Sequence, residues 1–62
     1  MTDLIEGWQE LKVLVESLEL DIHKNAGGNK SAGVRARKGL RQIKKRTTEL
    51  VKFSLATNKE QS

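Results

Sequence analysis

The sequence predicts an all-α protein, an antiparallel helical hairpin that assembles as a dimeric four-helix bundle. Three observations lead there. Proline is absent and no run of alternating β-branched residues occurs, so strands have no signal. Apolar residues recur in steps of three and four in each half of the chain, the period of a helix buried along one face. A break, Asn25-Ala26-Gly27-Gly28-Asn29, separates the halves. Residues 1–62 are expected to form a single helical-hairpin domain.

The first helix is expected over about residues 3–25. Leu4, Trp8, Leu11, Val15, Leu18 and Ile22 form its apolar seam, a spacing used by bundles and coiled coils. Thr2 or Asp3 can cap its start, where acidic residues also favour the positive end of the helix dipole. Gly7 lies inside this helix and weakens it by about 1 kcal/mol relative to alanine, so fraying of the first turns is expected. Trp8 lies on the seam and reads as a core residue. Val13 and Leu20 point away from it and read equally as scattered surface residues or as part of a second interface. His23, near the helix end, reads as a partner of the C-terminal dipole.

The turn is expected at 26–29, with glycine in a left-handed C-cap and Asn29 capping the next helix. So short a connection makes the two helices antiparallel neighbours. The second helix is expected over about 30–56, with Ala32, Ala36, Leu40, Ile43, Thr47, Leu50 and Ser54 as its seam and Val51 beside it. Small residues there, Gly33 and Gly39 included, predict close approach of the helices. A polar tail is expected over 57–62.

A chain of 62 residues buries only about 60% of its unfolded surface, which makes a lone domain marginal. Disulfides, a structural metal or oligomerisation are the usual supports. With no cysteine and one histidine, self-association as a homodimer or higher is the support expected. No metal site, cofactor, catalytic residue or small-molecule substrate is expected, because nothing provides an acid–base pair, a nucleophile or a cleft. Asp3 and Glu6 stand where a signal peptide would be positive, and the longest apolar run, Val13 to Val15, is far short of the roughly 20 residues that span a bilayer. A soluble, cytoplasmic protein without a membrane partner is expected.

The net charge of +4 conceals a division. Residues 1–24 hold Asp3, Glu6, Glu10, Glu16, Glu19 and Asp21 against Lys12 and Lys24. Residues 30–52 hold nine basic residues against Glu49 alone. Such asymmetry points to an anionic partner, chiefly nucleic acid. At 100° per residue, Lys30, Arg37, Lys38, Arg41, Lys44, Lys45 and Lys52 fall within about 120° of arc on the side opposite the seam. Arg35 and Arg46 lie off this arc, on the flank that carries Phe53. A charged helix face is ordinarily just a solvated one, but apart from Glu49, four residues after Lys45, acids at the i±4 positions, which would neutralise a structural face, are missing. The side chains suit phosphates rather than base edges: lysine is a point charge and arginine a fork for phosphate oxygens. No aromatic is interleaved to stack on single strands. Double-stranded DNA bound without sequence preference is therefore the expected partner. The competing reading is a protein–protein module in which the acidic helix of one copy meets the basic helix of another.

The stretch Gly28-Asn29-Lys30-Ser31-Ala32-Gly33-Val34-Arg35-Ala36-Arg37-Lys38, followed by Ile43-Lys44-Lys45, resembles the bacterial histone H1-like nucleoid proteins of chlamydial type. The resemblance covers about residues 20–53 without a gap. It implies a non-enzymatic, nucleoid-associated protein that binds and compacts DNA. Carried over by position, it marks Asn29 and Lys30 at the turn and Arg35, Arg37 and Lys38 on the helix. Together with the helix face, the expected DNA-binding set is Lys30, Arg35, Arg37, Lys38, Arg41, Lys44, Lys45 and Lys52. Members of chlamydial type continue into a long lysine- and alanine-rich extension, whereas this sequence ends at Ser62, so the hairpin is expected to supply the contacts.

Overall fold

The computed structural model describes the backbone of residues 2–61 and the surroundings of side chains 4–58. It is all-α. Helix α1 runs Thr2–Ser17, α2 Glu19–Ala26 and α3 Lys30–Gln61. Helices α1 and α2 together form one arm, packed along α3 as the other, in a flat rod of 49 × 15 × 11 Å. No helix among the described residues is long and apolar enough to cross a membrane.

The expected single first helix is interrupted at Leu18. There the Leu18 amide donates to Val15 O at 3.1 Å, a tightened turn, and Ser17 Oγ donates to Leu14 O at 2.7 Å. A serine hydroxyl drawn back onto its own helix competes with the backbone ladder and bends it. The helix resumes when Ile22 N donates to Leu18 O at 2.9 Å.

The turn follows local chemistry. Asn29 N donates to Lys24 O at 3.0 Å and Gly28 N to Asn25 O at 2.9 Å, the paired bonds that end a helix around a left-handed residue. That residue is Gly28, with φ 101°. Asn29 Oδ1 then accepts from Ala32 N at 2.9 Å, satisfying one of the free amides at the start of α3.

The core is narrow. Leu11, Leu18, Ala32 and Ala36 are its buried apolar residues, all of them seam positions. Close approach is set by glycines. A Cβ on Gly39 would collide with the Leu18 side chain, and one on Gly33 would stand 2.5 Å from Asn25 Nδ2. Gly7, expected only to loosen its helix, serves the same purpose, since a Cβ there would stand 2.7 Å from Leu50 Cδ2.

Two further expectations are corrected. Residues 57–61 are helical rather than a tail, because Lys59, Glu60 and Gln61 are good helix formers and nothing between Leu55 and Gln61 breaks a helix. Thr57 Oγ1 also donates to Phe53 O at 3.0 Å. Trp8 is not core: it is 51% exposed, alongside seam residues Val15, Ile22 and Leu40. A single packed helix covers only part of an apolar arc, and these residues lie on the uncovered side.

Candidate nucleic-acid interface

Helix α3 presents its seam to the α1–α2 arm, so its opposite side forms the outer edge of the hairpin. Lys30, Lys38, Arg41, Lys45 and Lys52 are exposed along this edge. Lys44 and Arg37, also exposed, lie at its border, and an Arg37 guanidinium nitrogen reaches back to within 3.2 Å of where a Cβ on Gly33 would stand. From Lys30 to Lys52 the edge is about 33 Å long at 1.5 Å per residue. Among the described residues no ion pair reaches any of these seven side chains.

Arg35 is placed differently from the rest of the expected set. Its guanidinium lies on Asp21 across the hairpin, with Nη2 at 3.1 Å and Nε donating to Oδ1 at 3.1 Å. Arg46 does the same with Glu10, Nη1 donating to Oε1 at 2.7 Å. Both pairs lie on one broad face of the rod. A fork held by two contacts to a carboxylate is already engaged, and Arg35, off the outer edge, makes these contacts within the hairpin. Sequence alone shows Arg35 to be off the basic arc but not the Asp21 that receives it, which depends on helix register.

The edge is a row of cations with one acid of the same helix, Glu49, at its border, four residues after Lys45. Lys45 is the one among them that borders a shallow groove shared with Glu10 and Glu49. Val34, 61% exposed, is the apolar residue set within the row, and neither Trp8 nor Phe53 joins it. Such a surface attracts extended polyanions and offers little to read base edges. His23 Nε2 lies 3.9 Å from Glu19 Oε1, and no group of residues able to hold a metal occurs among the described residues.

No curated protein and no solved structure matches the chain. The family model of histone H1-like protein Hc1 matches residues 5–60, well beyond the stretch that carries the resemblance by motif. Both helical arms and the turn thus fall inside the match, and the chain belongs to the Hc1 histone H1-like family, whose members are non-enzymatic DNA-binding nucleoid proteins.

Proposed function

We propose that the protein binds the phosphate backbone of double-stranded DNA without sequence preference, through the outer edge of α3. The observation that carries this reading is the row Lys30, Arg37, Lys38, Arg41, Lys44, Lys45 and Lys52, exposed and free of ion pairs among the described residues. Duplex DNA carries one phosphate charge per about 1.7 Å of axis, so an edge of about 33 Å can meet several phosphates at once. Arg35 stands outside this set, since it holds Asp21.

Self-association accompanies binding. Among the described residues the buried apolar core is Leu11, Leu18, Ala32 and Ala36, which is small for an independent domain, and a dimeric four-helix bundle supplies what the hairpin lacks. The protein then works in the nucleoid as a coat or clamp on DNA, without a cofactor.

The reading is tested by anisotropy titration of two labelled duplexes of unrelated sequence over a salt series. Equal affinities and a linear fall of log K with log salt are expected. A duplex preference of tenfold or more, or affinity insensitive to salt, would contradict it.

A further inference from the structure

The cations of the outer edge are ordered in rows. Residues seven apart run nearly straight along a helix, drifting only about 20° per step. Lys30, Arg37 and Lys44 form one such row. Lys38, Lys45 and Lys52 form another, about 100° further around the axis. Between them runs a third, Val34, Arg41 and Thr48, also exposed. Arg41 is its single cation, and Val34 beside it is 61% exposed, an apolar residue that phosphate contact alone does not explain.

We propose that α3 lies along the minor groove of the duplex, one outer row on each strand's phosphates, with Arg41 entering the groove and sensing its width. The inference rests on the backbone-binding reading above and specifies which groove that backbone borders.

The separation of the rows selects the groove. Cations about 6–8 Å from the helix axis and about 100° apart stand about 9–12 Å from each other. The minor groove is about 6 Å wide between its walls, or about 12 Å between phosphate centres, whereas the major groove is about 12 Å between its walls alone. The two rows therefore meet both backbones of the minor groove, but only one wall of the major groove.

The middle row suits what lies between the strands. Arg41 stands midway between Lys30 and Lys52, where a straight helix comes closest to a groove that curves away from it. Long lysine side chains span the wider gap at both ends. A guanidinium is planar and more weakly hydrated than an ammonium, so it sheds water at less cost on entering a narrow groove, where negative potential is enhanced. Val34 and Thr48 add no charge and can rest on the sugars of the groove walls. From the groove Arg41 still offsets phosphates on both sides, so it still counts in the salt dependence. Mixed sequences average over wide and narrow grooves, which leaves their affinities alike. Double-stranded RNA is disfavoured, because its A-form minor groove is wide and shallow.

The test compares duplexes of equal length and charge that differ in the minor groove. An A-tract has a narrow groove, and an A/T duplex broken by TpA steps offers the same base edges without the narrowing. In anisotropy titrations the full chain should bind the A-tract about threefold more tightly than the TpA duplex, and double-stranded RNA less tightly than either. Arg41→Lys should bring the two DNA affinities together, whereas Lys45→Gln should weaken both and keep their ratio. Netropsin, a minor-groove ligand, should displace the chain from the A-tract, and methyl green, a major-groove cation, should not. Equal parent affinities for the two DNA duplexes overturn the inference, as does a preference that survives Arg41→Lys. So does RNA bound as tightly as the A-tract, or displacement by methyl green and not by netropsin. Any of these with salt-dependent DNA binding intact would leave the backbone reading standing and remove the groove alone. A chain that binds no duplex at low salt would remove both.

Discussion

The Leu18 side chain lies directly on the bare Cα of Gly39: Cγ and both Cδ atoms fall within 2.9 Å of where a Cβ would stand. The contact joins the one interruption of the first arm to a close approach of the two arms. It also sets their register, since Gly7 against Leu50 and Gly33 against Asn25 repeat the same relation toward either end. The seam thus relies on leucine or asparagine set onto glycine at three levels, not on large residues facing one another.

Gly39→Ala tests this contact because two effects oppose. Replacing a helical glycine by alanine gains about 1 kcal/mol of propensity. Overpacking a fitted contact costs typically 1–3 kcal/mol, and here three atoms of Leu18 block the site, so rotating its tip gives no escape. A net loss of thermal stability is expected by circular dichroism. Adding Leu18→Ala should make the alanine at 39 favourable again, relative to Leu18→Ala alone. Additive effects in this double-mutant cycle would disprove the contact.

The turn gives a sharper contrast between neighbours. Gly28 has φ 101°, whereas Gly27 has φ −85°. Gly28→Val should lower the melting temperature by several degrees, since a β-branched residue is strongly disfavoured at positive φ. Gly27→Ala should change it little, because its φ is open to any residue and a Cβ there meets Lys24 O at an ordinary 3.6 Å. Equal melting of both variants and the parent would remove the glycine cap from the account.

Asn29→Ala isolates the other half of the turn. Losing the bond from Ala32 N to Asn29 Oδ1 should cost about 1 kcal/mol, the usual worth of an N-cap. For a chain of this size that is a fall of roughly 4–8 °C in melting temperature. Asn29→Asp should retain most of the stability, since a carboxylate accepts the same bond and suits the positive end of the dipole.

The features legible in the sequence are those that depend on nearest neighbours along the chain. Gly28 and Asn29 end one helix and begin the next through bonds spanning no more than five residues, and the composition around them announces both. The seams locate Leu11, Leu18, Ala32 and Ala36 in the core because helical period alone determines a face. Period does not reveal how much of that face a partner covers, and so Trp8, Val15, Ile22 and Leu40 share a seam with the core but remain half exposed. Register is likewise invisible: Arg35 and Asp21 are 14 residues apart, and only the seating of Leu18 on Gly39 brings them level. Gly7 reads as a weak point until Leu50 is placed against it.

Self-association predicts a concentration-dependent melt. A dimer that forms only from folded chains raises apparent stability by mass action, so the midpoint should climb as protein concentration increases. A variant carrying Val15→Gln and Leu40→Gln, at two half-exposed seam residues, should show a lower midpoint that no longer moves with concentration. A parent midpoint constant over a hundredfold range, with a monomer mass, would leave the hairpin to stand alone.

The division of the arginines yields the most specific test of DNA binding. Lys38, Arg41 and Lys45 are unpaired on the outer edge among the described residues, while Arg35 and Arg46 are held by Asp21 and Glu10 on a broad face. Replacing Lys38, Arg41 and Lys45 by glutamine removes three phosphate contacts, and each contact contributes about −0.9 to the slope of log K against log salt. The slope should therefore flatten by roughly 2.7 per copy, and affinity should fall for every duplex alike. Helix content should persist, since glutamine is a good helix former and these positions lie off the seam. Arg35→Gln should instead leave the slope nearly unchanged and lower stability slightly, as expected for an exposed ion pair. Lys12→Gln, on the acidic arm, serves as a control of equal charge change and should alter neither. If Arg35→Gln flattened the slope as much per residue as the triple variant does, the outer edge would lose its separate status. Binding would then have to be assigned to the whole basic helix.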